Sequence, residues 1–266
     1  MEAAELLNRG LRDRTRALIG WCLGVAAYIA LIAAIFPSIE GEANFDELVQ
    51  DYPEALKSLF GFSGNITSGP GFIDTELFNL MLPLLAIVFA INLGTRTLAG
   101  EEEAGRLELL FAYPVRRRDG VTAKGLALGI EVAIFVVVVF LALLVLDPIF
   151  GLDLPLGRLS GAVVGLGLLG VLHGWLSLAV GAAHPSRALA IAVPAVFAAF
   201  SFLVNGLHEL ASWLDPFRFL SSFWWIGQSP LAEGVRVIGL VVVGLASVVA
   251  LGAAAVLIER RDLEVP

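Results

Sequence analysis

The chain has a single cysteine, Cys22, two lysines, Lys57 and Lys124, and three histidines, His173, His184 and His208. One cysteine excludes an intramolecular disulfide. Three scattered histidines make no ligand cluster, and no His-Glu-x-x-His pair exists to hold zinc. The Gly-x-x-x-x-Gly-Lys-Ser/Thr pattern is missing too, so the chain has no phosphate-binding loop of its own. Charge is scarce: Asp, Glu, Lys and Arg make up 16% of the 266 residues, with a net charge of −8. That acidity argues against nucleic acid as a partner. No residue qualifies as catalytic, metal-ligating or cofactor-binding.

Apolar residues, by contrast, make up 58% of the chain, and the mean hydropathy is +0.86. They are concentrated in runs near the ~20 residues that cross ~30 Å of hydrocarbon. The chain reads as an all-α polytopic membrane protein, one membrane domain over residues 1–266. Six spans are predicted, at about 17–37, 76–98, 121–146, 157–181, 187–206 and 234–258. Before the first, arginines at 9, 12, 14 and 16 alternate with leucines, which suits a helix lying in the interface before the chain turns inward. A signal peptide does not fit: the run from Ala17 to Phe36 is too long, and Pro37-Ser38-Ile39-Glu40 offers no small-x-small cleavage site.

Basic residues set the orientation. With the N-terminus inside, the inner segments hold Arg9, Arg12, Arg14, Arg16, Arg96, Arg106, Arg116, Arg117, Arg118, Lys124, Arg187, Arg260 and Arg261. The outer segments hold only Lys57, Arg158, Arg218 and Arg236, a division of 13 to 4 among the 17 basic residues. The positive-inside rule then places both termini in the cytoplasm, at the plasma membrane.

The outer loop of residues 38–75 is acidic, and Phe45, Leu48, Val49, Tyr52, Leu56, Leu59 and Phe60 recur at helical spacing, with Pro53 at a helix-starting position. Two short amphipathic helices are expected there. Gly161, Gly165, Gly170 and Gly174 in span four allow close helix approach, within one subunit first and at a dimer seam second. Between spans five and six, Trp213, Phe217, Phe219, Phe223, Trp224 and Trp225 suit an outer aromatic belt or short re-entrant helices. Glu131 is the one acid expected well inside a span, about two turns from the cytoplasmic face, and an intramembrane carboxylate marks a functional site by default. Glu131, with Phe197, Asn205 and His208, forms the candidate pathway or gating set. A purely structural role for Glu131, as partner to a neighbouring helix, is the competing expectation.

Between spans two and three lies a charged island, residues 99–120. Gly100 suits an N-cap, and Glu101, Glu102 and Glu103 complement the positive end of a helix dipole. Leu107, Leu110 and Phe111 share one face, and Pro114 stops the helix after Tyr113. Fixing topology needs only the arginines, so the acidic, capped helix asks for a further use.

Two families share features of this island. Glu101-Glu102-x-x-x-Arg106 resembles the EExxxR motif of glutamic intramembrane proteases, which would make Glu101, Glu102 and Arg106 catalytic. Those enzymes also need membrane-embedded glutamates and a Phe-x-x-x-His motif, which is missing here. The broader resemblance covers nearly the whole chain. The string TRTLAGEEEAGRLELL from Thr95, followed by YPVRR from Tyr113, is similar to the segment between spans two and three of type-2 ABC exporter permeases. In that family it reads much like E-E-x-G-T-L-E-L-L-x-x-x-P-x-S/T-R and forms a coupling helix. Arg106 stands where the family often has Thr, and Arg116 where it has Ser or Thr.

The resemblance implies a non-catalytic permease that moves a hydrophobic or amphiphilic substrate by alternating access. Two partner ABC ATPase subunits would carry ATP and Mg and dock on Glu101, Glu102, Glu103, Arg106, Leu107, Glu108, Leu110, Phe111, Tyr113, Arg116 and Arg117. A second permease chain, identical or a sister, would complete the pathway in the bilayer.

Overall fold

The computed structural model describes residues 3–40, 52–60, 66–98, 100, 116–208 and 210–261, with side chains from residue 15 onward except that of residue 60. Among these, every regular element is helical. The chain opens with α1 (Ala3–Ile35) and a 3-10 turn at Phe36–Ser38. Next come α2 (Glu54–Phe60) and α3 (Gly69–Ile73), which runs into a π-helical segment, Asp74–Phe78, and then α4 (Met81–Thr97). Then follow α5 (Arg117–Phe150), α6 (Leu156–Ala183) and α7 (Arg187–Leu207). A 3-10 helix (Asp215–Leu220), α8 (Ser222–Ile226) and α9 (Val237–Arg260) complete the order.

Six helical stretches are long and apolar enough to cross a membrane: Thr15–Ser38, Gly69–Thr97, Arg117–Phe150, Leu156–Ala183, Arg187–Leu207 and Val237–Arg260. Two features differ from expectation. The arginine-bearing segment and the first span form one unbroken helix, so no turn separates an in-plane piece from the span. The second span begins at Gly69, because polar residues can enter a helix that packs against protein instead of lipid. Pro83 sits in the first turn of α4, where its missing N–H has no intrahelical acceptor to lose.

Helix α6 is the hub, packed against α4, α5, α7 and α9. Small residues bring it close to α4: a Cβ on Gly94 would meet the Gly174 carbonyl oxygen at 2.4 Å, and Gly170 faces Val132 and Ala86. These glycines therefore serve packing within the chain. The central core stacks Phe89 on Phe135 (centroids 5.1 Å apart) with Trp21 leaning on Phe89. Peripheral helices differ sharply. Only 17% of the apolar window of α1 and 28% of those of α7 and α9 is buried, against 67% in Gly69–Thr97 and 61% in α6. Apolar surface left open on this scale is what a bilayer or another membrane helix covers.

Candidate functional site

At the end where α1 begins and α9 finishes, helix termini expose carbonyls that have no intrahelical partner. Long cationic side chains reach them. Lys124 Nζ donates to the Thr97 carbonyl (3.1 Å), tying the start of α5 to the end of α4. Arg117 Nη1 donates to the Arg261 carbonyl (2.9 Å), and Arg261 Nη1 donates to the Gly181 carbonyl (3.2 Å). The two ends of the 99–115 segment are thereby connected to α6 and α9 as well as to each other. Beneath them Leu98, Val121, Leu178, Ala182, Ala254 and Ile258 form a buried apolar cluster. Deeper, Trp175 Nε1 donates to the Gly125 carbonyl (2.8 Å), and the Thr95 and Ser177 hydroxyls meet at 3.0 Å. The contacts at the two ends of that segment thus join α4, α5, α6 and α9.

The opposite end is closed by short elements. Asp74, 2% exposed on the π-helical segment, accepts hydrogen bonds from the backbone N–H of Leu231 (3.0 Å) and Ala232 (2.8 Å). Arg158 donates to the carbonyls of the same two residues. The segment they grip runs between Gly227 and Gly234, both with left-handed φ (94° and 88°), and buries Leu231 completely. Asn79 Nδ2 donates to the Leu59 carbonyl (3.1 Å), Gln228 Nε2 to the Ser58 carbonyl (3.0 Å), and Ser58 Oγ to the Gly206 carbonyl. Sequence periodicity gave no hint of this arrangement, since Asp74 reads as part of the outer loop. Its burial shows that a second acid besides Glu131 is enclosed by the protein, close to the start of its span.

Glu131 itself is 1% exposed. Glu131 lies about 21 Å along α5 from its first residue, Arg117. His173 on α6 is fully buried, its Nδ1 2.8 Å from the Leu169 carbonyl and its ring 5.5 Å from that of Phe197. Asn205 lines a cavity of about 10 Å³, room for about one water, together with Asn79 and Gln228. His208 caps α7, its Nδ1 3.0 Å from the Asn205 carbonyl. Phe197, Asn205 and His208 thus follow one helix, whereas Glu131 belongs to α5. A second, apolar groove of about 580 Å³ lies between α1 and α4, lined by Gly20, Trp21, Gly24, Tyr28, Met81 and Leu85.

A family model described as ABC-2 family transporter protein matches residues 5–263. The chain belongs to the ABC-2 transporter family. Comparison with individually curated proteins gives no match. Membership and the six apolar helices make it a multi-pass membrane permease, of a family that is generally non-catalytic and generally works with ATPase subunits. In this ABC-2 permease, Glu101, Glu102, Glu103, Arg106, Leu107, Glu108, Leu110, Phe111 and Tyr113 lie outside the described residues, as does the stretch from Phe45 to Val49. Arg116 is the N-cap of α5 and exposed, and Arg117 begins that helix with the contact to Arg261. Tyr52, Leu56 and Leu59 fall on or beside α2, with Pro53 accepting from the first-turn N–H groups.

Proposed function

We propose that this ABC-2 permease is the transmembrane subunit of an ATP-driven exporter. Two permease chains, identical or sister, enclose a pathway in the cytoplasmic membrane, with both termini cytoplasmic. Two separate ATPase subunits, which bind ATP and Mg, dock on residues 99–120 and switch the pathway between inward and outward access. The observation that carries this reading is the pair of anchors at the ends of that segment: Lys124 on Thr97, and Arg117 on Arg261, which itself reaches Gly181. Force delivered between α4 and α5 then moves the hub helix α6 and the last span with them. The absent phosphate-binding loop and the basic residues gathered on the termini side support a soluble ATPase partner on that side. The groove between α1 and α4 supports a hydrophobic or amphiphilic substrate. Glu131, Phe197, Asn205 and His208 remain the residues proposed to line or gate the pathway.

The test is assembly. Replacing Glu102→Lys together with Glu103→Lys inverts the charge of the docking segment, and an ATPase subunit should no longer copurify while membrane insertion is unchanged. Undiminished copurification would overturn the docking assignment.

A further inference from the structure

At the end remote from the termini, Trp224 on α8 carries two guanidinium groups. Arg218, from the preceding 3-10 helix, places its Cζ 5.4 Å from the centre of the indole ring. Arg236, the N-cap of α9, places its Cζ 5.5 Å from the same centre. The frame holding them is aromatic throughout. Trp224 meets Trp225 at 4.8 Å and Phe219 at 5.2 Å, Arg218 also lies 4.8 Å from the Phe219 ring, and Trp225 Nε1 donates to the Phe219 carbonyl. Among the described residues, the carboxylate paired with the cluster is Asp215, 2.7 Å from Arg218 Nη1. Arg236 is exposed and forms no ion pair among the described residues. Two guanidiniums and one carboxylate leave the cluster with a net positive charge.

The level of this cluster follows from its neighbours. Arg236 is the last charge before the apolar run of α9, whose first residues Val237 and Ile238 are exposed. Trp213, Phe219 and Leu220 are exposed on the other side, 71%, 53% and 60% respectively. Exposed aromatics beside the first apolar turn of a span mark the headgroup region of a bilayer. Arg236, stacked on the indole and exposed, presents a planar guanidinium fork that matches phosphate oxygens, while Arg218, whose Nη1 is taken by Asp215, adds its charge beside it.

We propose that Arg218 and Arg236 bind the phosphate of a phospholipid headgroup in the leaflet at this end. The exposed apolar side chains around Trp213 and at the start of α9 receive its acyl chains. A bound lipid then joins the 3-10 helix and α8 to α9, bridging the 227–234 segment that Asp74 and Arg158 hold from within. The site stands independently of the export reading, because it needs only that the chain sits in a membrane.

The experiment is a titration of the full-length, delipidated protein in detergent with phosphatidylglycerol, followed by native mass spectrometry. Arg236→Gln should weaken binding about fivefold, and the double variant with Arg218→Gln about 25-fold, since each basic group at a membrane surface contributes comparably. Arg236 is exposed, so the single variant keeps the test open if the double variant fails to assemble. Diacylglycerol with the same chains should bind no better than to the double variant. Unchanged affinity in Arg236→Gln, or equal binding of diacylglycerol, would overturn the phosphate site. Complete displacement of the lipid by tens of millimolar inorganic phosphate would make it a site for the free ion and overturn the lipid assignment.

Discussion

The two ends of this permease are held together by opposite means. At the termini end, flexible cationic side chains reach across to helix-end carbonyls: Lys124 to Thr97, Arg117 to Arg261, Arg261 to Gly181. Such contacts join helices while allowing each side chain to follow a moving partner. At the far end most of the fixing groups are short and buried, or are backbone itself, although the long side chain of Arg158 also reaches the Leu231 and Ala232 carbonyls. Asp74 takes the N–H groups of Leu231 and Ala232, Ser221 Oγ donates to the Ser201 carbonyl at 2.6 Å, and glycines admit neighbouring carbonyls. Short side chains have little rotamer freedom to give, so this end holds its geometry firmly. The difference teaches where each end can yield: long joints face the segment proposed to receive force, and a tightly fixed cap closes the other side.

That contrast is tested hardest at glycine. A Cβ on Gly239 would fall 1.8 Å from the Trp225 carbonyl oxygen, a backbone atom that no rotamer change can move aside. Gly239→Val should cost 4 kcal/mol or more, on the order of the largest single-site effects, and leave little monodisperse protein by size-exclusion chromatography. Recovery of normal yield would mean that the cap is as compliant as the opposite end. Next comes Asp74→Ala, which strands the buried N–H of Leu231 and the part-buried N–H of Ala232 by removing their acceptor. A loss of about 3 kcal/mol is expected, with faster proteolysis confined to residues 227–234. Lys124→Met keeps most of the side-chain volume and removes one part-buried hydrogen bond, so about 1 kcal/mol should be lost in thermal unfolding. If Lys124→Met destabilises as much as Asp74→Ala, the distinction between a compliant and a fixed end fails.

The sequence made one side of this contrast far more legible than the other. Apolar runs near twenty residues announce spans directly, because bilayer thickness dictates their length, and the six helices follow from them. The charged island between Thr97 and Arg116 was equally visible, since it stands between two long apolar runs. The Asp74 clamp was hidden for a physical reason. Its partner Leu231 is 157 residues away, and no local periodicity encodes which distant backbone a carboxylate will meet. Proximity to Pro70 and Glu76 made Asp74 look like a loop residue, yet burial against protein let the helix continue through it.

The smallest effect is the most discriminating about the joints at the termini end. Arg118 Nε lies 3.7 Å from both Asp119 and Glu259, with all three side chains about half exposed. Water screens such pairs, and holding long side chains in place costs entropy, so Arg118→Ala should change stability by less than about 0.5 kcal/mol. The same substitution removes one of the three consecutive arginines near the end of the docking segment 99–120, whose charge is proposed to register an ATPase partner. Its effect should therefore be read in two assays: thermal unfolding of the permease alone, expected to be unchanged, and the salt dependence of ATPase copurification, expected to shift to lower ionic strength. A fall in stability with no change in copurification would move Arg118 from the docking face to the structural joint, and would place the boundary between the two at α5's first turn.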